Sequence, residues 1–290
     1  MLWITEYAYN ACERNGTLDS MESFKNRLKA LEIDSNLEKD KVYSRIYLGF
    51  EFCENMMSFC RIDHVKQKIE LAVKEGYKVS FVFPMMHQKR IPLFKEWIRQ
   101  LVQLDRIDEW IVNDPGTFLL LDEAGVDGGF VLGRMFDKSI REARQNILDI
   151  PEIRDNFDVL QPENSFHGIR EILKEKYHIN GAEVDTFPDG ILKLKDDGMH
   201  YHVHYPDIYL SCSTYCEYAN GSHNPNERFL LHTSCGAECR HYEQKIICKN
   251  GRVLYKTGNV MLCRQNRSPG QSIEGCCRMV YSDRIYQSNI

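Results

Sequence analysis

From about residue 40 onward, short runs of β-branched and aromatic residues alternate with longer segments whose apolar residues recur at helical spacing. This alternation is typical of βα units built around a parallel sheet. Strands are predicted at residues 45–50, 78–83, 109–113, 129–133, 158–160, 181–185 and 201–205. Helices are predicted between some of them, at residues 65–75, 93–104 and 168–176.

The number of these units favours one α/β architecture over another. Seven or so units in about 240 residues indicate a TIM-like (β/α) barrel, complete or incomplete, more than an open doubly wound sheet. The chain carries no glycine-rich dinucleotide-binding or P-loop fingerprint, which weakens the open-sheet alternative further.

A single domain over residues 1–290 is predicted, because no segment reads as a linker. Within it we expect a helical lead-in at 1–40, barrel units at 41–210 and a cysteine-rich closing extension at 211–290. The last segment differs in character, since short β-like pieces and a loop rich in Asn, Gly, Ser and Pro replace the βα alternation.

Composition and charge limit the cellular locations and the classes of binding partner that the sequence allows. The chain is 43% hydrophobic and 27% charged, and no apolar run approaches the ~18 residues of a membrane span. An acidic N-terminus without an export signal predicts a cytoplasmic protein. A net charge of -5 argues against the broad basic surface of a nucleic-acid binder. A small-molecule, peptide or carrier-bound substrate fits better.

Polar residues follow several of the predicted strands, where the βα loops of a barrel converge on a pocket. The candidates to orient a substrate or move protons are Glu51, Asn113, Arg134, Glu183 and Asp185. Glu183 and Asp185 are two residues apart, so on a strand they share a face. The alternative is that strand ends are polar because they meet water.

Cysteines form the strongest local signal. Of eleven, eight lie in the last 80 residues, and without an export signal they favour metal ligands or reduced thiols over disulfides. The spacing Cys216-x18-Cys235-x3-Cys239 resembles a thiolate ligand set, for which Cys53 at a strand end supplies a fourth member. Spacing alone leaves an iron–sulfur cluster, zinc and unligated thiols open.

Histidines recur at every second position in His200, His202 and His204, which places three imidazoles on one face of a strand. Alternate residues on a straight strand are about 6.6 Å apart, too far for all three to bind one ion. The pattern therefore favours a solvated or pocket-lining strand face.

Three segments resemble the collagenase-like peptidase family U-32, and most of all its short iron–sulfur members that assist oxygen-independent ubiquinone hydroxylation. They are residues 45–53, 209–216 and 235–240, and the overall likeness spans roughly residues 42–286. The resemblance implies a [4Fe-4S] cluster, and the positions that match the family's ligands are Cys53, Cys216, Cys235 and Cys239. Cys212 is an additional thiol close to this set in sequence.

The resemblance also implies an activity. Family members with an assigned reaction hydroxylate a quinone precursor or an RNA base without dioxygen, with prephenate as the implied oxygen donor. An iron–sulfur hydroxylase or related redox-modifying enzyme is the first hypothesis. The second is a non-catalytic subunit that binds a cluster and hands electrons or structural support to a homologous partner subunit. A peptidase is the third, although the chain has neither an H-E-x-x-H nor a G-x-S-x-G motif.

Overall fold

A computed structural model of the chain describes most of its residues. The described residues are 4–12, 20–33, 42–137, 139, 141–144, 149–156, 171–179, 181–187, 192–193, 198–221, 224, 226, 235–265, 273–274 and 276–282. All eleven cysteines and all nine predicted catalytic or ligand residues lie within these ranges.

Eight parallel strands close into a barrel, which confirms the predicted α/β TIM-like class. The described strands are β1 (Glu6–Asn10), β2 (Tyr43–Gly49), β3 (Lys78–Phe83), β4 (Glu109–Val112), β5 (Phe130–Leu132), β6 (Gly181–Asp185), β7 (Leu192–Lys193), β8 (His200–Tyr205), β9 (Asp207–Cys212), β10 (Gln244–Ile247), β11 (Val253–Thr257), β12 (Val260–Arg264), β13 (Ile273–Glu274) and β14 (Cys276–Tyr281). The order around the barrel is β1-β2-β3-β4-β5-β6-β8-β14, and β14 returns to pair with β1.

Helices flank the barrel. They are α1 (Met21–Ile33), α2 (Asn55–Phe59), α3 (Ile62–Lys74), α4 (Ile91–Val102), α5 (Pro115–Glu123) and α6 (Pro151–Arg154). Residues 171–177 are also helical, and a further short helix spans Glu217–Asn220. Helix α4 shows why they pack there, since it buries Phe94, Trp97, Ile98 and Leu101 along one stripe at helical spacing. The main apolar core lies between this helical layer and the outer face of the strands.

The predicted helical lead-in at 1–40 is wrong in one respect, because it contains barrel strand β1 as well as helix α1. Alternation explains the strand: Ala8 joins the small apolar layer inside the barrel, whereas Tyr9 joins the outer core. The barrel also extends beyond the predicted limit at residue 210, because β14 closes it. The predicted strand at 158–160 lies outside the described residues.

A second layer covers the carboxyl ends of the barrel strands. Strands β10, β11, β12 and β9 form an antiparallel sheet in that order, which we term the capping sheet. An apolar cluster joins it to the barrel rim, with Phe52 from the rim and Tyr209, Val260 and Leu262 from the sheet. Strands β7 and β13 form a separate two-stranded parallel pair.

None of the described helices has both the length and the apolar character that crossing a membrane requires.

Candidate functional site

Four cysteines from three distant segments approach one another at the carboxyl rim of the barrel. Cys53 follows strand β2, Cys216 precedes the helix Glu217–Asn220, and Cys235 and Cys239 flank a turn. We call Cys53, Cys216, Cys235 and Cys239 the four-thiol site. Chain topology therefore places together the four residues that the sequence singled out as ligands.

The four thiols lie near enough to one another to affect each other's ionisation. Burial raises the pKa of Cys239 to about 12, and the negative charge that Cys53, Cys216 and Cys235 would carry as thiolates adds to this effect. Burial likewise raises the pKa of Cys53 to about 11, with contributions from Cys235 and Cys216. As thiolates these groups repel one another, so an ionised set requires a compensating cation.

Backbone amides donate hydrogen bonds to individual sulfurs and thereby favour their ionised form. Ala237 has a left-handed backbone with φ of 61°, and its amide donates a hydrogen bond to Cys235 Sγ at 3.4 Å. This bond acts against the burial that raises the pKa of Cys235. The amides of Asn55 and Met56 act in the same way on Cys53.

The capping sheet approaches the site through its β11–β12 turn. A Cβ atom added to Gly258 would lie 3.7 Å from Cys239 Sγ, in ordinary van der Waals contact. Asn259 follows and donates to the Phe52 carbonyl at 3.0 Å, next to Cys53. The turn thus connects the loop of Cys239 with the barrel segment that carries Cys53.

No disulfide joins any of the eleven cysteines, all of which the structure describes. Among the described residues, no group of three or more His, Cys, Asp or Glu side chains is arranged to hold a single metal ion. The four-thiol site is therefore a set of neighbouring thiols and not a ready-made mononuclear centre.

A cavity of about 330 Å³ opens beside the four-thiol site. Cys53 and Cys216 line it, together with apolar side chains from the rim. Basic and amide side chains line it as well, among them Lys89, Arg90 and Asn220. Its volume is at the lower end of the range for small-molecule sites.

Arg134 occupies the centre of the barrel mouth and neutralises two of the predicted catalytic residues. Its Nη1 donates to Glu51 Oε1 at 2.5 Å and its Nε to Asp185 Oδ2 at 2.9 Å. The guanidinium also lies 5.3 Å from the ring centroid of Phe52 and 6.0 Å from that of Tyr209. Glu51, Arg134 and Asp185 are all buried, so this group is an internal ion-pair network.

Glu183 lies deeper in the barrel and collects three hydrogen bonds. Its carboxylate accepts from the Tyr47 hydroxyl at 2.9 Å and lies 2.9 Å from His202 Nδ1 and 2.5 Å from His204 Nε2. Burial acts to raise the pKa of Glu183, but the contacts with both histidines outweigh it and lower that pKa. His202 and His204 thus face the barrel interior, whereas His200 is exposed.

The polar interior continues toward the amino end of the barrel. Arg278 Nη1 donates to the Tyr47 hydroxyl at 2.9 Å and to Glu109 Oε2 at 2.7 Å, and its Nε donates to Glu6. At the opposite end, His204 Nδ1 lies 3.8 Å from Glu51. A barrel interior is ordinarily filled by branched apolar side chains, so this continuous polar network is unusual.

Asn113, the fifth predicted catalytic residue, connects backbone segments. Its side chain donates to the Phe83 carbonyl at 2.8 Å and accepts from the Met135 amide at 3.0 Å. Neither Asn113 nor the other four is among the described residues that line the cavity. The structure thus gathers the predicted residues at the mouth, but beneath the surface that a ligand in the cavity would contact.

Sequence reasoning missed most of the cavity lining. Arg90 and Asn220 sit in a turn and in a short helix, and no motif distinguishes them from solvated surface residues. His202 and His204 carried a signal, their alternation with Tyr201 and Val203, but the carboxylate they contact comes from a different strand.

Fold and site together define a closed parallel α/β barrel with four neighbouring thiols at its carboxyl rim. Neither the models of known families, nor the curated proteins, nor the solved structures include a match to this chain. The likeness to family U-32 therefore remains a prediction from the sequence.

Proposed function

We propose that this protein is an iron–sulfur protein related to family U-32, in which Cys53, Cys216, Cys235 and Cys239 hold a [4Fe-4S] cluster. The observation that carries the proposal is the approach of these four thiols, from three segments, at the carboxyl rim of the barrel. Reduced thiols persist in the cytoplasm, which is where we place the protein.

The donor set fits this cofactor. A single zinc ion requires every sulfur at about 2.3 Å from one point. A four-iron cluster takes one thiolate on each iron, so its ligands surround a larger volume. The effect of the four thiols on one another's pKa values supports the second arrangement.

The surrounding residues support ionised sulfurs. Amide groups donate to Cys53 and Cys235, and the charge of Arg90 lowers the pKa of Cys235 against the effect of burial. When bound, the cluster supplies one-electron transfer. The residues around it hold the ligand loops in place and, through these hydrogen bonds and this charge, tune the site's potential.

We further propose that the protein performs an oxygen-independent hydroxylation or a related redox modification, as the resemblance implies. The cavity supports a catalytic role, since Cys53 and Cys216 line it and a molecule bound there would lie beside the cluster. Arg134 contacts Phe52, and Phe52 also lines the cavity. The ion-pair network of Arg134 therefore supports this part of the cavity wall.

A second candidate is a cluster-binding subunit that supports a homologous catalytic partner. One observation favours it: Glu51, Arg134 and Asp185 are buried in mutual ion pairs and are not among the described residues that line the cavity. A subunit of this kind would bind the cluster but no small molecule, so ligand binding in the cavity separates the two candidates.

The cluster is tested by anaerobic purification followed by iron and sulfide analysis and absorption spectroscopy. We expect about four irons and four sulfides per chain in the wild type. Cys53→Ala, Cys216→Ala, Cys235→Ala and Cys239→Ala should each lose most of the iron, because each removes the ligand of one iron.

Cys248→Ala is the matched control, since Cys248 is also partly buried but follows strand β10 on the capping sheet. It should keep the wild-type iron content. Retention of iron in Cys53→Ala together with its loss in Cys212→Ala would reassign the ligand set. Stoichiometric zinc, or metal-free protein that hydrolyses peptides, would refute the redox proposal.

A further inference from the structure

The cavity beside Cys53 and Cys216 combines apolar and polar surfaces in a way that defines a ligand. Phe52, Met85 and Met86 supply apolar surface. Lys89 and Arg90 supply positive charge, against one carboxylate from Glu54 among the described lining residues. The Glu54 carboxylate is already engaged, since it accepts a hydrogen bond from the His87 amide at 2.7 Å.

Arg90 is held in position by neutral groups. Its Nη1 donates to Ser58 Oγ at 3.0 Å and its Nη2 to Asn55 Oδ1 at 2.5 Å. These bonds restrict the guanidinium without neutralising it, so its charge remains able to attract an anion. A pre-positioned guanidinium loses less entropy on binding a carboxylate or phosphate than a freely rotating one.

Asn220 is the second, independent feature. It is only 2% exposed, and its Nδ2 donates to the Cys216 carbonyl at 2.8 Å. Its Oδ1 is buried and has no hydrogen-bond partner among the residues that the structure describes. A buried acceptor without a donor costs about 1–3 kcal/mol, and a ligand in the cavity that Asn220 lines would relieve this cost by donating to it.

We propose that the cavity binds a small anion that has an apolar body and an N–H or O–H donor. Arg90 and Lys89 contact its carboxylate or phosphate group, Asn220 Oδ1 accepts its hydrogen bond, and Phe52, Met85 and Met86 pack against its body. The inference deepens the proposed function and rests on it for the location of the ligand beside the cluster.

The test is calorimetric titration of the anaerobic full-length protein with matched probes. The donor-bearing anions are 4-hydroxyphenylacetate, 3-hydroxybutyrate and 4-hydroxybenzylphosphonate, which separate aromatic from aliphatic and carboxylate from phosphate recognition. Each is paired with its methyl ether, which lacks the donor, and each carboxylate also with its amide, which lacks the charge. We expect at least one anion to bind at 1:1 and about tenfold more tightly than its ether.

Variants assign the two contacts. Asn220→Leu should weaken the hydroxylated anion about tenfold and leave its ether unchanged, whereas Asn220→Asp, which keeps an acceptor, should retain the preference for the hydroxyl. Arg90→Met should weaken the acid and its ether alike and leave the amide unchanged. Arg99→Met, on the exposed surface of helix α4, is the matched control and should bind like the wild type.

Iron content is measured on each sample, so that the two proposals fail separately. Iron-loaded protein that shows no preference for the anion or the donor, or whose affinities are unchanged in both Asn220→Leu and Arg90→Met, overturns the ligand assignment alone. Protein without iron that still shows both preferences overturns the cluster and leaves the ligand class standing.

Discussion

At the scale of single residues, Arg134 shows how a charge in the barrel mouth is used. Its guanidinium is buried beside the stacked rings of Phe52 and Tyr209 and bonded to two buried carboxylates. Burial alone would lower its pKa, but Asp185 and Glu51 outweigh that effect and raise the pKa of Arg134. The group is therefore charged at every accessible pH, which suits a structural cation and not a proton donor.

We expect Arg134→Met to destabilise the fold by about 3–5 kcal/mol, because it leaves two buried carboxylates without their cation. Urea unfolding monitored by circular dichroism measures the change. Lys95→Met is the matched control, since Lys95 forms an ion pair with Glu123 on the exposed surface and should change stability little. Equal unfolding midpoints for the two variants would contradict the proposed role of the network.

The sequence located Glu51, Arg134 and Asp185 correctly at strand ends. It did not show that the three neutralise one another. Arg134 is separated along the chain from Asp185 by 51 positions and from Glu51 by 83 positions. Side-chain pairing of this kind depends on the curvature of the closed barrel, which no local pattern encodes.

At the scale of elements, the end of strand β2 directs the chain into the four-thiol site. Gly49 ends the strand with φ of 115°, a backbone conformation that L-residues rarely adopt. A Cβ atom there would lie 2.3 Å from the Val82 carbonyl oxygen. The absence of a side chain thus lets β2 turn closely past β3 and carry Cys53 to the rim.

Gly49→Ala should destabilise the fold by about 3 kcal/mol or more, since backbone strain and a steric clash add. Gly128→Ala is the control, because an added Cβ at Gly128 meets no atom within 4 Å. Thermal unfolding compares the two variants, and iron content shows whether the Cys53 segment is displaced. A Gly49→Ala protein as stable as Gly128→Ala would refute the steric argument.

Element assignment succeeded for the long helices and for several short strands that alternate with them, but it missed the first strand. Helices α3 and α4 were predicted because each repeats its apolar spacing over three turns. Strand β1 was missed because five residues with two tyrosines carry little periodic information. Its partners, β2 and β14, are supplied by opposite ends of the chain.

At the scale of the whole molecule, charges run through the barrel from end to end. Burial acts to raise the pKa of Glu109, but the hydrogen bonds and charge of Arg278 lower it to about 2. The pKa of Glu6 is lowered by the same arginine against burial. A carboxyl group whose pKa is lowered by folding stabilises the folded state at any pH above its ordinary pKa. This stabilisation is lost as the pH falls toward the pKa of the group in the folded state.

The free energy of unfolding should therefore decrease as the pH drops from about 4.5 to about 2. Glu109→Gln should lose roughly 3 kcal/mol at pH 7 and show a flatter pH dependence over that interval. Urea titrations at several pH values measure both effects. Glu123→Gln, on the exposed face of helix α5, is the control and should keep the wild-type pH dependence. A pH dependence of Glu109→Gln that runs parallel to that of the wild type would contradict the assignment.

The sequence by itself determined the βα alternation, the position of polar residues at strand ends and the identity of four candidate ligand cysteines. Hydrophobic periodicity and spacing are local properties, so a linear chain displays them. The tertiary structure alone decided that the barrel closes through β1 and β14, that Arg134 and Glu183 are enclosed, and that Arg90 and Asn220 share a cavity with Cys53. These relations depend on side chains from distant segments that meet only after the sheet has curved on itself.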